Sequence, residues 1–195
     1  MQYRTHITVS LAVGLPMLAA VDQVTFINTA ALVCGSVLPD IDHPRSFIGK
    51  RSQVVSKVAN KTLGHRGATH SLVVAAGVYL LALFIAKAYL ASAAMHLPFW
   101  LLIGYLLHLV EDSFSKNSIH WFWPFSKFKR SARKRLFYYR TGHVSEYLIL
   151  GFALCLLLIE LNLLWSGHLT SLFDHGFAAS LKLLIAKLQL LLLPR

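Results

Sequence analysis

Acidic residues are scarce in this chain: eight Asp and Glu stand against 19 Lys and Arg in 195 residues, a formal net charge of +11. A balance this basic points to an anionic neighbour, either lipid or nucleic acid. Cysteine is nearly absent as well. Cys34 and Cys155 sit alone inside apolar segments with no CxxC or paired spacing, which argues against a disulfide framework or a structural zinc knuckle and leaves both as packing residues. Charged residues make up 14% of the chain, whereas hydrophobic residues make up 56% and mean hydropathy is +0.57, well above a globular composition. The chain reads as an all-α, multi-pass helical membrane protein, one membrane-embedded domain over residues 1–195.

The clearest spans are Leu72 to Leu90, interrupted only by Lys87, and Val144 to Trp165, interrupted by Glu146, Glu160 and Asn162. Each has the roughly 20 residues that a helix needs to cross the hydrocarbon core. A shorter piece, Phe99 to Val110, follows Pro98 at a helix-start position. Ile7 to Val21 and Val24 to Leu38, separated by Asp22 and Gln23, read as a tight helical hairpin with Pro16 as a kink. Arg4 before an apolar run ending in Leu18, Ala19 and Ala20 also suits a secretory signal. The basic region is thin, however, and apolar character resumes at Val24, which favours a retained helix. Phe177 to Leu193 carries Lys182 and Lys187 and either spans or lies in the interface. Five or six membrane-embedded helices are expected.

Charge sets the topology. Residues 41–68 hold six Lys and Arg and residues 113–143 hold eight, so fourteen of the 19 positive charges lie in two loops, while the turn near Ala91 to Leu97 has none. By the positive-inside rule both basic loops are cytoplasmic. His6, Asp40, His70, His108, Asp112, His143 and Glu146 then all fall at the cytoplasmic membrane boundary.

Ionisable residues are costly near a bilayer and are usually kept there for chemistry or ion handling. Five of the eight acids sit with histidines in LPDIDHP (Asp40, Asp42, His43), HLVED (His108, Glu111, Asp112) and GHVSE (His143, Glu146), and a fourth cluster, HRGATHS, pairs His65 with His70. His108 and Asp112 are four apart on a helix and project from one face, able to close on one ion. Asp40 and Asp42 alternate, which in extended backbone aims both carboxylates the same way. Mixed imidazole and carboxylate donors suit zinc, with manganese or iron as alternatives. Each cluster also has a plainer explanation: Pro and Asp are ordinary turn residues, and Glu146 complements a helix dipole. Thr69 or Ser71 is placed to cap the following helix. Glu111 points about 100° from Asp112 and reads as either a base or a solvated helix end.

In the second basic loop Phe125, Phe128, Ala132, Leu136 and Tyr139 recur at spacings of three and four among lysines and arginines. That stripe fits an amphipathic helix on anionic lipid headgroups better than a nucleic-acid surface. Trp121, Phe122 and Trp123 before it read as an interfacial anchor.

LPDIDHP, HRGATHS and GYLLHLVEDSF followed by WPF together resemble the YdjM-like family of inner membrane-associated metal-dependent hydrolases, from about Thr5 to Glu146. The resemblance implies a bacterial inner membrane protein with His6, Asp40, Asp42, His65, His70, His108 and Asp112 as the polar site. Ser115 and Ser118 stand where the family usually has Thr and Gly. A more distant similarity is to zinc-dependent phospholipases C and single-strand nucleases, through the order His6, Asp40, His65, His108, Asp112. The chain lacks the N-terminal Trp of those enzymes, and His143 to Glu146 is one residue short of their spacing, which favours one or two metals over three. The expected function is hydrolysis of a phosphoester at the cytoplasmic membrane surface, with Asp42 or Glu111 as base and Arg66 or loop lysines assisting. The competing readings are a non-catalytic metal-binding or ion-handling membrane protein and a docking module built on the basic loop.

Overall fold

The computed structural model describes residues 1–42, 68–90, 94–116, 119–125, 138–173 and 176–193, and among these the chain is all-α. Helix α1 (Tyr3–Ala20) runs through Pro16, turns, and returns as α2 (Phe26–Val37). The turn is tight because Asp22 adopts φ 55° and the Gln23 N–H reaches back to the Leu18 carbonyl at 2.9 Å. Thr25 then starts α2 by accepting from the Asn28 N–H at 3.2 Å, a side-chain N-cap. The expected helical hairpin is therefore present. Leu38–Asp42 extends α2 as a 3₁₀ segment, and a second one, Ala68–His70, precedes α3 (Leu72–Tyr89). Of the two candidate caps, Ser71 caps α3, accepting from the Val74 N–H at 3.3 Å.

Helix α4 (Leu97–Ser113) carries Pro98 in its first turn, where a missing N–H costs nothing. Helix α5 (Val144–Trp165) follows the second basic loop, and α6 (His168–Ser171) and α7 (Gly176–Leu192) complete the seven α-helices among the described residues.

Two of these helices are long and apolar enough to cross a membrane. Helix α3, with 18 residues, and α5, with 22, have window hydropathies of 2.1 and 2.3; at 1.5 Å per residue they reach roughly 27 and 33 Å. A core helix of a soluble protein passes the same test but is mostly buried, whereas only 17% of the α3 window and 6% of the α5 window are buried. Leu81, Phe84, Leu148, Phe152 and Leu158 are all at least 60% exposed. The other expected embedded segments fall short of that test for evident reasons: α2 has 12 residues, α4 and α7 have 17 each, and α1, with 18, carries Arg4, Thr5, His6, Thr8 and Ser10 in its first half.

Helices α2 and α4 meet backbone to backbone. A Cβ on Gly35 would collide with the Leu101 carbonyl, and one on Gly104 with the Leu32 carbonyl. Close approach through small residues is a common way for helices to associate in lipid, and here it brings the Ser36 carbonyl to His108. A second core of Ala75, Tyr105, Leu109 and Ile119 joins α3 to α4. The Leu72 N–H donates to the Trp121 carbonyl at 2.9 Å, fastening the 119–125 segment to the start of α3.

Candidate metal centre

The helix directions bring the ends of four elements together. His6 lies in the first turns of α1, Asp40 in the 3₁₀ segment after α2, His70 in the turn before α3, and His108 and Asp112 in the last turns of α4. His6, His70, His108 and Asp112 are fully buried, and Asp40, at 16% exposed, marks the open edge of the cluster.

Each imidazole is tied through Nδ1. His6 Nδ1 meets Glu111 Oε2 at 2.5 Å, His108 Nδ1 meets the Ser36 carbonyl at 2.7 Å, and His70 Nδ1 meets Thr69 Oγ1 at 3.1 Å. The Glu111 carboxylate and the Ser36 carbonyl accept, so Nδ1 is the donor on His6 and His108; with Nδ1–H on His70 as well, all three rings turn an Nε2 lone pair towards one space, the usual second-sphere arrangement of metal-bound histidine. His70 and His108 Nε2 stand 3.2 Å apart. His70 Nε2 lies 3.7 Å from Asp40 Oδ1 and 3.5 Å from Asp112 Oδ2, and His108 Nε2 lies 3.9 Å from Asp40 Oδ1. His6 Nε2, which has no hydrogen bond among the described residues, is 3.5 Å from Asp112 Oδ1.

Facing lone pairs on three imidazoles and two carboxylates repel unless a cation or proton lies among them. Metal–nitrogen bonds of about 2.0–2.1 Å put neighbouring donors of a tetrahedral ion roughly 3.3 Å apart, close to the spacings seen here. Two groups, His6 with Asp40 and His108, and His70 with His108 and Asp112, each keep their ligand atoms within 4.8 Å of one another. This buried cluster can hold a metal ion. Burial works against ionisation of Asp40, yet the His70 imidazole beside it, with His108 and His6 near, outweighs that and holds its carboxyl below the usual carboxylate range.

Further residues complete the setting. Asp112 Oδ1 accepts from the Tyr139 hydroxyl and from the Met1 nitrogen, both at 2.9 Å. Tyr105 donates its hydroxyl to the Thr69 carbonyl at 2.5 Å and so fixes the turn that presents His70. Sequence placed Tyr139 on a lipid-facing stripe; instead it is 3% exposed and its hydroxyl is turned onto Asp112. Phe125, from the same stripe, is exposed. The middle of the stripe, 128–136, lies outside the described residues, as do His65 and Arg66. Asp42 closes the 3₁₀ segment, with its side chain outside the description. Glu146 is buried, and its two oxygens accept from the Gln2 N–H at 2.5 Å and the Gly142 N–H at 2.6 Å, so it clamps the start of the chain to the start of α5. His143 is exposed at the N-cap of α5, and no hydrogen bond or ring contact joins it to the cluster among the described residues.

The model of the YdjM inner membrane protein family matches residues 1–185. The chain belongs to this family. It is 37% identical over 113 residues to inner membrane protein YdjM of Escherichia coli (strain K12), covering 56% of this chain and 54% of that protein. To YvsG of Bacillus subtilis (strain 168) it is 35% identical over 118 residues, 60% of this chain and 67% of the relative. To inner membrane protein YbcI of Escherichia coli (strain K12) it is 29% identical over 124 residues, 63% and 66%. The chain thus spans about half the length of YdjM, the first of these relatives. No solved structure matches. Membership and the two exposed apolar helices make this chain an inner membrane protein.

Proposed function

We propose that this YdjM-family protein is a membrane-bound metal-dependent hydrolase of a phosphoester, working at the cytoplasmic membrane surface. The observation that carries the reading is the convergence of three Nε2 atoms and two carboxylates in one buried space. In this reading α1, α2 and α4 are embedded beside α3 and α5, giving five membrane helices with the site at their cytoplasmic ends. Helix α7 packs Ile185 against the core and joins its Gln189 to Gln23 at the opposite end, as an interfacial helix would.

The ligands are His6, Asp40, His70, His108 and Asp112, with His65 as a further candidate. Imidazole-rich donors favour zinc, and the carboxylates keep manganese or iron in play. When bound, such an ion lowers the pKa of a coordinated water and neutralises charge on a phosphoryl oxygen. The chain's own residues do the rest. Asp42, two residues from the exposed-edge Asp40, serves as general base; Arg66 and the loop lysines hold the phosphate; and the basic loops gather the anionic lipid headgroups among which the substrate lies. Nucleic acid fits less well, because the site is fastened to the membrane boundary. The full burial of four donors also favours a second reading, a non-catalytic metal-binding protein.

Metal analysis and phosphoesterase assays on the detergent-purified full chain separate the two. Wild type should carry metal and hydrolyse a chromogenic phosphodiester or phospholipid vesicles, and Asp112→Ala should lose both. Bound metal without turnover on any phosphoester favours the non-catalytic reading. An active, metal-free Asp112→Ala protein ends the metal reading altogether.

A further inference from the structure

The sequence leaves Glu111 open as a base or a solvated helix end, and the geometry around it suits neither role. Its side chain is 7% exposed, and both oxygens are engaged from the α1 side. Oε2 accepts from His6 Nδ1 at 2.5 Å and Oε1 accepts from Ser10 Oγ at 3.0 Å. His6 and Ser10 are one helical turn apart on one face of α1. Glu111 and Asp112, being consecutive, point about 100° apart on α4, so the last turn of that helix sends Asp112 into the imidazole cluster and Glu111 across to α1.

We propose that Glu111 is a positioning residue that acts through His6, which rests on the metal reading above. Its carboxylate fixes the Nδ1–H tautomer of His6 and holds the ring stacked on His108, with centroids 3.9 Å apart and planes 19° from parallel. In that pose Nε2 faces Asp112 Oδ1 at 3.5 Å. A carboxylate behind a ligating imidazole also raises the basicity of the far nitrogen. Ser10 sets the carboxylate's own orientation by taking its second oxygen. The acid pair of HLVED is thereby divided, Asp112 for the ion and Glu111 for the histidine that shares it.

Cobalt(II) uptake by the detergent-purified full chain, followed by its visible absorption and by competition with a chelator, tests this. Glu111→Ala should weaken cobalt affinity about 10–100-fold, as loss of an outer-sphere partner does. Glu111→Gln, whose amide oxygen still accepts from Nδ1–H, should recover most of that and guards against a folding artefact. In a His6→Ala background Glu111→Ala should cost nothing further, whereas general destabilisation would add. Full additivity, or cobalt binding by Glu111→Ala equal to wild type, overturns the assignment while leaving the metal site standing. A wild-type protein that takes up no cobalt overturns the metal reading and this one with it.

Discussion

At one end of the helix bundle Gln23, Trp100 and Gln189 meet; at the other His6, Asp40, His70, His108 and Asp112 do. Both sets are polar and sit among apolar helices, yet their chemistry is opposite. Gln23 Oε1 accepts from Trp100 Nε1 at 2.8 Å and from Gln189 Nε2 at 2.9 Å, and Gln23 Nε2 donates to Gln189 Oε1 at 3.2 Å. Donors meet acceptors there, and the network closes on itself. At the histidine end Tyr139 and Met1 donate to one oxygen of Asp112, but the atoms that face one another, three Nε2 and the oxygens of Asp40 and Asp112, are acceptors once each Nδ1 has given its proton away. Burial of polar groups therefore does not distinguish a structural network from a binding site; the sign of the facing partners does.

The largest effect should come from the residue common to both donor groups. His108→Ala removes a ligand from each and strips the Ser36 carbonyl of its partner. Metal content should fall to background. A site filled at 100 times its dissociation constant stabilises the fold by about 2.7 kcal/mol, so chelation should lower the wild-type melting temperature and leave that of His108→Ala unmoved. A chelator response in the variant equal to wild type would place the ion elsewhere.

A smaller effect is expected from the α2–α4 contact that positions the site. Gly104→Ala sets a methyl group against the Leu32 carbonyl, which is backbone and cannot swing aside. Overpacking of this kind costs about 1–3 kcal/mol, and separation of the helices draws the Ser36 carbonyl from His108. Thermal unfolding and cobalt affinity should both weaken, while the same change at Gly77, which meets nothing within 4 Å, should leave both near wild type.

Some of this was legible in the chain. Hydropathy is a local property, so the limits of α3 and α5 follow closely from the apolar runs, and Pro98 and the capping of α3 follow from backbone chemistry. Counting Lys and Arg put the helix ends that bear His6, Asp40, His70, His108, Asp112, His143 and Glu146 on one side; the first five do stand together, whereas His143 is exposed and Glu146 binds the Gln2 and Gly142 N–H groups. Which helices pass the test of a free-standing span was less legible, because α1, α2 and α4 are short or partly polar and are covered by neighbours. The partners of Glu111, Glu146 and Tyr139 were hidden for another reason. Each acts across more than 25 residues of chain, and no periodicity within a segment records what lies opposite it. One signal was available: Ser10 follows His6 by four residues and so shares a face of α1 with it.

The smallest effect should come from the closed network. Gln189→Leu keeps the volume of the side chain against the α1–α2 turn but removes its reciprocal amide pair with Gln23. Trp100 Nε1 still has Gln23 Oε1, so one partnership is lost and one kept. Two hydrogen bonds are lost, both only part-buried and so at the low end of roughly 0.5–1.5 kcal/mol net each, and the stability read from thermal unfolding should fall by about 1 kcal/mol. Metal content and cobalt affinity should not change, because Gln23, Trp100 and Gln189 meet one another, donor to acceptor, rather than converging on a cation. If Gln189→Leu weakened metal binding as much as Gly104→Ala, the two ends would be coupled through α4, and the contrast between a self-satisfied network and a cation site would have to give way to a single polar path along that helix.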